Sequence, residues 1–162
     1  MPDNTITAWN PSEGLTLYGR KPALEALMDP SLAIHCLHLA DSNRPTGIIA
    51  QIIAAAEKRA VAVRYHDRQA LSRISKNGRQ DQGVALDVIC PGFLSLEAFL
   101  ALPQKPRTLL AIDGVTNPQN VGMIIRSAAA AAIDGLLYPK RGIASLGPLV
   151  IKASAGNVFR AP

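Results

Sequence analysis

Asn117-Pro118-Gln119-Asn120-Val121-Gly122-Met123-Ile124-Ile125-Arg126 decides how this chain folds. The apolar run Thr108-Leu109-Leu110-Ala111-Ile112-Asp113-Gly114 precedes it, and an Ala-rich stretch continues it to about Ala132. The run reads as a strand closed by a glycine turn. Asn117 then predicts a helix N-cap, with Pro118 at the first helical position, where a missing N–H costs nothing. Gly122 falls inside the helix, at a cost of about 1 kcal/mol relative to alanine, so something requires it. Its missing side chain leaves room for the Arg126 guanidinium, for a substrate, or for close backbone packing. Asn120 lies in the first turn, beside unpaired N–H groups and the positive end of the helix dipole. Strand, turn, helix N-terminus, amide and Arg together suit an anion or a ribose-phosphate.

Working outward, Gly135 to Tyr138 reads as a second strand and Pro148 to Ala155 as a helix stopped by Gly156. Val158-Phe159 reads as the start of a third strand. Upstream, Pro103 and Pro106 mark a linker, with one short helix over 94–100. Before it the pattern is again mixed. A helix is expected over Gly19 to Met28 and a buried strand over Ala33 to Leu39. Ile48, Ile49, Ile52, Ile53 and Ala56 define an amphipathic helix over Thr46 to Arg59. Val61 to Tyr65 is a strand, Asp67 caps a brief helix, and Gln82 to Ile89 is a strand entered through Gly83. Alternating strands and helices predict a layered α/β domain with a largely parallel sheet. The expected divisions are a loose tail at 1–14, an α/β domain at 15–91, a linker at 92–106 and a second α/β unit at 107–162. Trp9 stands out in the tail as a residue that docks on the body or on a partner chain.

The 162 residues carry a formal charge of +5, which favours an anionic partner, most simply RNA. The charge is concentrated. Residues 57–79 hold seven bases against two acids, and residues 107–162 hold six against two. Aromatic content is 4%, too low for base stacking to dominate a nucleic-acid contact. Cys36 and Cys90 show neither a pairing pattern nor metal-ligand spacing and read as small buried residues in a reducing cytoplasm. The flanking His35 and His38 lack further ligands, so no metal is expected. The N-terminus shows no signal-peptide pattern, and the longest apolar run is far too short to span a bilayer.

Leu110 to Ala130 resembles the first motif, Asn-x-Gly-x-x-x-Arg, of the SpoU (TrmH-like) class of SPOUT RNA methyltransferases. Lys152-Ala153-Ser154-Ala155-Gly156 is similar to that family's Lys-x-Ser-x-Gly run. Leu17-Tyr18-Gly19-Arg20-Lys21-Pro22-Ala23-Leu24-Glu25-Ala26-Leu27 resembles the opening of its substrate-binding domain, and Gln82-Gly83-Val84-Ala85 the closing strand. The resemblance covers residues 16–162. It implies a small ribosomal-protein-like α/β domain followed by a SPOUT (α/β knot) domain. It further implies methyl transfer from S-adenosylmethionine to a ribose 2′-hydroxyl of rRNA or tRNA, in the cytoplasm, by a homodimer. Carried over residue by residue, Arg126 and Asn120 become catalytic and Gly122 structural. Arg20, Lys21, Arg79, Gln82, Lys152 and Ser154 become RNA contacts. The family's cofactor motifs lie later than any segment present, so residues 1–162 are expected to form a truncated domain without its knot, inactive alone and with no cofactor-binding residues.

Two other readings stand beside this one. A non-enzymatic RNA-binding module with a vestigial second unit fits the missing cofactor motifs, yet would not need Asn120, Gly122 and Arg126 together. An unrelated nucleotide-binding domain is disfavoured, because Asp113 to Asn120 lacks a Gly-x-Gly-x-x-Gly or Walker pattern.

Overall fold

A computed structural model describes residues 9–11 and 13–161. Most of the tail expected at 1–14 therefore lies outside the described residues. The first unit runs β1 (Gly14–Tyr18), α1 (Arg20–Met28), β2 (Ala33–Ala40), α2 (Ile48–Lys58), β3 (Ala62–His66), α3 (Arg68–Ser75) and β4 (Val84–Ile89). Its four strands form one sheet in the order β1-β4-β2-β3.

The sheet corrects the expectation of largely parallel pairing. Only β2 and β3 run parallel, while β4 is antiparallel to both β1 and β2. Helix–strand alternation gives a parallel sheet only where each helix carries the chain back to the edge it left. Helix α2 does so. The short α3 ends instead in a loop with Lys76 and Gln82 in left-handed backbone (φ 54° and 53°), and β4 returns in the opposite sense. Strand β1 was not expected. Its alternation is only Leu15 and Leu17, too brief to register, although Leu17 is fully buried.

One face of the sheet carries α1 and α2. Leu17, Leu37, Leu39, Val84, Leu86 and Val88 meet Ala23, Leu27, Ile49, Ile52 and Ala56 there, so the predicted apolar stripe of α2 does face the core. On the other face α3 lays Leu71 over Ala40 and Ala85. The Arg59 guanidinium ties this unit together by donating to the carbonyls of Ala26, Leu27, Asp29 and Leu32. These are the orphan acceptors at the end of α1 and in the turn after it. Trp9 does dock on the body, its ring 5.1 Å from that of His35. Cys36 and Cys90 are both buried and free.

After α4 (Leu96–Leu100) in the connecting stretch, the second unit runs β5 (Leu109–Ala111), α5 (Pro118–Ala130), β6 (Gly135–Leu137) and α6 (Pro148–Ala153). Strands β5 and β6 pair in parallel. Asp134 fixes the start of β5 by accepting from the amides of Arg107 and Thr108, both at 2.9 Å, and these bonds lower its pKa. The third strand expected at Val158-Phe159 is instead a 3-10 turn over Asn157–Phe159. Ser154 directs it. Its Oγ accepts from the Val158 amide, its carbonyl accepts from Asn157 Nδ2, and Gly156 takes φ 77°.

The apolar core is continuous between the units, with Val121, Ile125, Val150, Val158 and Phe159 in one cluster with the first unit's residues. Arg160 adds a polar tie, donating to Ser31 Oγ and lying 3.6 Å from the Asp29 carboxylate. Among the described residues no helix is long and apolar enough to cross a membrane.

Candidate functional site

The N-terminal turn of α5 forms as its sequence dictates. Asn117 Oδ1 accepts from the amides of Gln119 (2.9 Å) and Asn120 (3.2 Å), and Pro118 follows the cap. The role of Gly122 is also settled. A Cβ there would lie 2.5 Å from the Ala153 Cβ, 2.8 Å from the Val150 carbonyl and 2.9 Å from the Ser154 amide. Glycine is required because the α6 backbone presses on α5, so of the three possible reasons close packing holds. Asn120 and Arg126 lie on the exposed surface of α5. Arg126 has neither a hydrogen bond nor an ion pair among the described residues, so its charge is presented to solvent. Lys152 is likewise exposed on α6. Ser154 is placed differently: it is 0% exposed, and its Oγ donates to the Ile151 carbonyl while accepting from Val158. Its hydroxyl is occupied in shaping the end of α6.

The other predicted residues come together on the first unit. Arg20, Lys21, Arg79 and Gln82 line one hollow of about 720 Å³ with Ser42, Asn43, Ile48, Arg68 and Gly83. Its geometry is built rather than incidental. The Arg20 amide donates to Gln82 Oε1 and its Nε to the Gln82 carbonyl, both at 3.2 Å. Its Nη2 donates to Asn43 Oδ1 at 3.3 Å. Asn43 is held in turn by donating to the Gly83 carbonyl at 2.7 Å. Gly83 keeps the wall thin, for a Cβ there would strike the Asn43 amide at 2.7 Å in a backbone of φ 76°. No residue of α5 or α6 lines this hollow, so the sequence-predicted residues form two groups rather than one.

Sequence reasoning missed Arg68 and Asn43 at this hollow. Arg68 lies in the basic stretch 57–79, which was the available signal, whereas nothing local marks Asn43. A second feature was missed entirely. Each strand of the first sheet gives one polar residue to a row across it. Thr16 Oγ1 donates to Asp87 Oδ1 (2.6 Å), Asp87 Oδ2 pairs with His38 Nε2 (2.9 Å), and His38 Nδ1 meets His66 Nε2 (2.9 Å). His38 and Asp87 are 6% and 3% exposed. Burial disfavours the imidazolium, but the bonds to Asp87 and Cys36 outweigh it and push His38 up to about 9. His66 moves the other way, lowered by burial and by the neighbouring His38 and Arg64 charges. Among the described residues no group of three or more His, Cys, Asp or Glu could hold a metal ion.

A basic hollow on one α/β unit, followed by an amide- and arginine-bearing helix between two parallel strands, defines a two-part α/β protein. Comparison with known families makes this specific. Residues 16–90 match the model for RNA 2′-O ribose methyltransferase substrate binding, and residues 107–162 match the SpoU rRNA Methylase family. Each unit of the chain thus resembles one part of the SpoU methylases, the first their substrate-binding region and the second the start of their methylase region. It is 33% identical over 149 residues to an uncharacterised tRNA/rRNA methyltransferase of Mycolicibacterium vanbaalenii, covering 89% of this chain and 46% of that protein. A counterpart in Mycobacterium tuberculosis is 32% identical over 149 residues, with 91% and 46% covered. The chain thus spans about half the length of the curated relatives it matches. Among solved structures, the AdoMet-bound rRNA methyltransferase of Sinorhizobium meliloti aligns with TM-score 0.46 at 22% identity, over 93% of this chain and 53% of that one. The SpoU methyltransferase AviRb of Streptomyces viridochromogenes, in complex with AdoMet, gives 0.47 at 18% identity, over 93% and 53%.

Proposed function

We propose that the whole protein transfers a methyl group from S-adenosylmethionine to a ribose 2′-hydroxyl of rRNA or tRNA. In this reading residues 15–91 dock the RNA, residues 92–106 are the linker, and residues 107–162 begin the catalytic unit. The observation that carries it is the tandem of family matches, substrate-binding at 16–90 and SpoU methylase at 107–162, in one chain. The full-length protein acts as a cytoplasmic homodimer in this proposal, a setting in keeping with two buried, unpaired cysteines.

The hollow on the first unit does not fit the cofactor: Arg20, Lys21, Arg68 and Arg79 wall it, and Ile48 is the one large apolar side chain among its lining residues, too little surface for an adenine ring. What the chain's residues supply is the RNA side of the reaction. A sugar hydroxyl must be oriented and relieved of its proton for an in-line displacement. A guanidinium is a fork of donors and a poor base, so Arg126 pairs with the adjacent phosphate and orients the hydroxyl rather than removing its proton. Asn120, one turn from the cap, holds the ribose. Lys152 adds charge on α6.

The test is incubation of the full-length protein with methyl-labelled S-adenosylmethionine and separate pools of rRNA and tRNA. The reading predicts label on a nucleotide whose 3′ linkage resists alkaline hydrolysis. Label confined to a base contradicts it. RNA binding with no transfer under any condition would favour the non-enzymatic module.

A further inference from the structure

The predicted contacts of the first unit end at Arg79, but its basic surface does not. A second hollow of about 590 Å³ adjoins the first and is lined by Arg68, Gln69, Ser72, Arg73, Gly78 and Arg79. Arg68 and Arg79 line both hollows, so the two form one trough. We propose that α3 carries a second phosphate subsite, at Arg68 and Arg73, so that the first unit grips successive phosphates of one RNA strand with Arg79 between them. This rests on the reading that the first unit docks RNA.

Three observations support the subsite. First, the arginines of this unit fall into two kinds. Arg20 and Arg59 are spent on carbonyl and amide oxygens of the protein. Arg44, Arg64, Arg68, Arg73 and Arg79 have no side-chain hydrogen bond or ion pair among the described residues, and the last three gather along the trough. Like charges gathered without partners repel, and a bound anion offsets that cost.

Second, no acid lines either hollow, and the acids nearby in sequence are committed elsewhere. Asp81 is buried, with Oδ2 accepting from Ser75 Oγ at 2.7 Å and Oδ1 from the Gly83 amide at 2.9 Å. Asp67 caps α3 by accepting from the Ala70 amide at 2.8 Å. Neither carboxylate forms an ion pair with Arg68, Arg73 or Arg79 or lines the trough. Third, the wall is fixed. The loop after α3 packs so closely that a Cβ on Gly78 would lie 2.1 Å from Ser72 Oγ and 2.8 Å from Ser72 Cβ.

The lining also fixes what is read. No aromatic ring lines either hollow, so bases are not stacked there. Guanidinium groups beside Ser72 and Gln69 suit the charged, hydrogen-bond-accepting oxygens of the phosphodiester backbone. The trough positions a strand and leaves sequence to be read elsewhere.

The experiment measures binding of the chain to unfractionated tRNA across a range of KCl concentrations. It compares the unmodified chain with Arg68→Gln/Arg73→Gln and with Lys21→Gln/Arg79→Gln. All four side chains are exposed, so thermal unfolding should be unchanged and serves as the folding control. The proposal predicts that Arg68→Gln/Arg73→Gln weakens binding about tenfold at moderate salt and flattens the slope of log affinity against log salt by about 1.4 to 1.8. Arg68→Lys/Arg73→Lys should restore most of the slope, because the backbone needs charge there more than a fork. If Lys21→Gln/Arg79→Gln weakens binding while Arg68→Gln/Arg73→Gln leaves affinity and slope intact, the second subsite is wrong and the RNA reading survives. If neither pair changes binding, the RNA reading of the first unit falls with it. Displacement of the tRNA by inorganic phosphate, beyond that by chloride at equal ionic strength, would assign the trough to a free anion and overturn the strand.

Discussion

The two units treat their polar side chains in opposite ways. In the first, Arg20 is gripped by Gln82 and Asn43, and a buried row joins Thr16, Asp87, His38 and His66 across all four strands. In the second, Asn120, Arg126 and Lys152 stand exposed on two packed helices. The scaffolds differ to match. The first sheet has helices on both faces, whereas β5 and β6 form a two-stranded pair, marginal by itself, with Leu109 and Leu110 exposed. The second unit gains its stability from α5 against α6 and from the core it shares with the first. The first unit thus holds its polar side chains in place, while α5 and α6 present theirs to solvent.

Breaking the row should cost the most. His38→Ala leaves Asp87 buried without its cation, and removal of one partner from such a pair destabilises by about 3–5 kcal/mol. Chemical denaturation would read this as a lower midpoint; a change below about 1 kcal/mol would mean that the row is a bystander. Next comes the α5–α6 contact. Gly122→Ala forces a methyl against backbone that cannot swing away, at about 1–3 kcal/mol for overpacking, and it should lower the denaturation midpoint by loosening the second unit. Asn117→Ala removes the α5 cap, at about 1 kcal/mol. Asn117→Asp should recover most of that, since the carboxylate accepts the same bonds and favours the helix dipole.

The pH dependence reads the same row without a mutation, and its sign follows from two shifts. His38 is raised from 6.5 to about 9 in the fold, so its contribution is full below 6.5 and is lost as pH climbs through 9. His66 is lowered, so stability also falls as pH drops below 6.5. Thermal unfolding followed from acid to alkali should peak near pH 6.5, and Asp87→Asn should flatten the alkaline limb. An alkaline limb unchanged in that variant would remove His38 from the account.

What the sequence discloses and what it hides divides along one line. Caps and stripes are local, so Asn117, Pro118, Asp67 and the Ile49–Ile52–Ala56 face could be read directly. Strand direction is not local. It turned on the loop carrying Lys76 and Gln82, whose backbone no neighbouring residue announces. Val158-Phe159 was lost as a strand because Ser154, four residues back, captures the Val158 amide. The polar row joins residues up to 71 positions apart in sequence, and no spacing rule connects them. The basic hollow was half visible: Arg20, Lys21, Arg79 and Gln82 came from motif and turn, while Arg68 and Asn43 needed the fold to bring them in.

The most direct test of the central claim is methyl transfer by the full-length protein carrying Arg126→Ala, measured in single turnover beside its melting temperature. Exposed and unpartnered, Arg126 should contribute nothing to folding, so the melting temperature should match that of the unmodified protein. The transfer rate should fall by about a hundredfold or more, as when one preorganised donor is removed from an active site. Transfer at the original rate, or a rate loss matched by a lost melting transition, would contradict the division between a fold that holds itself and a helix that presents its chemistry to RNA.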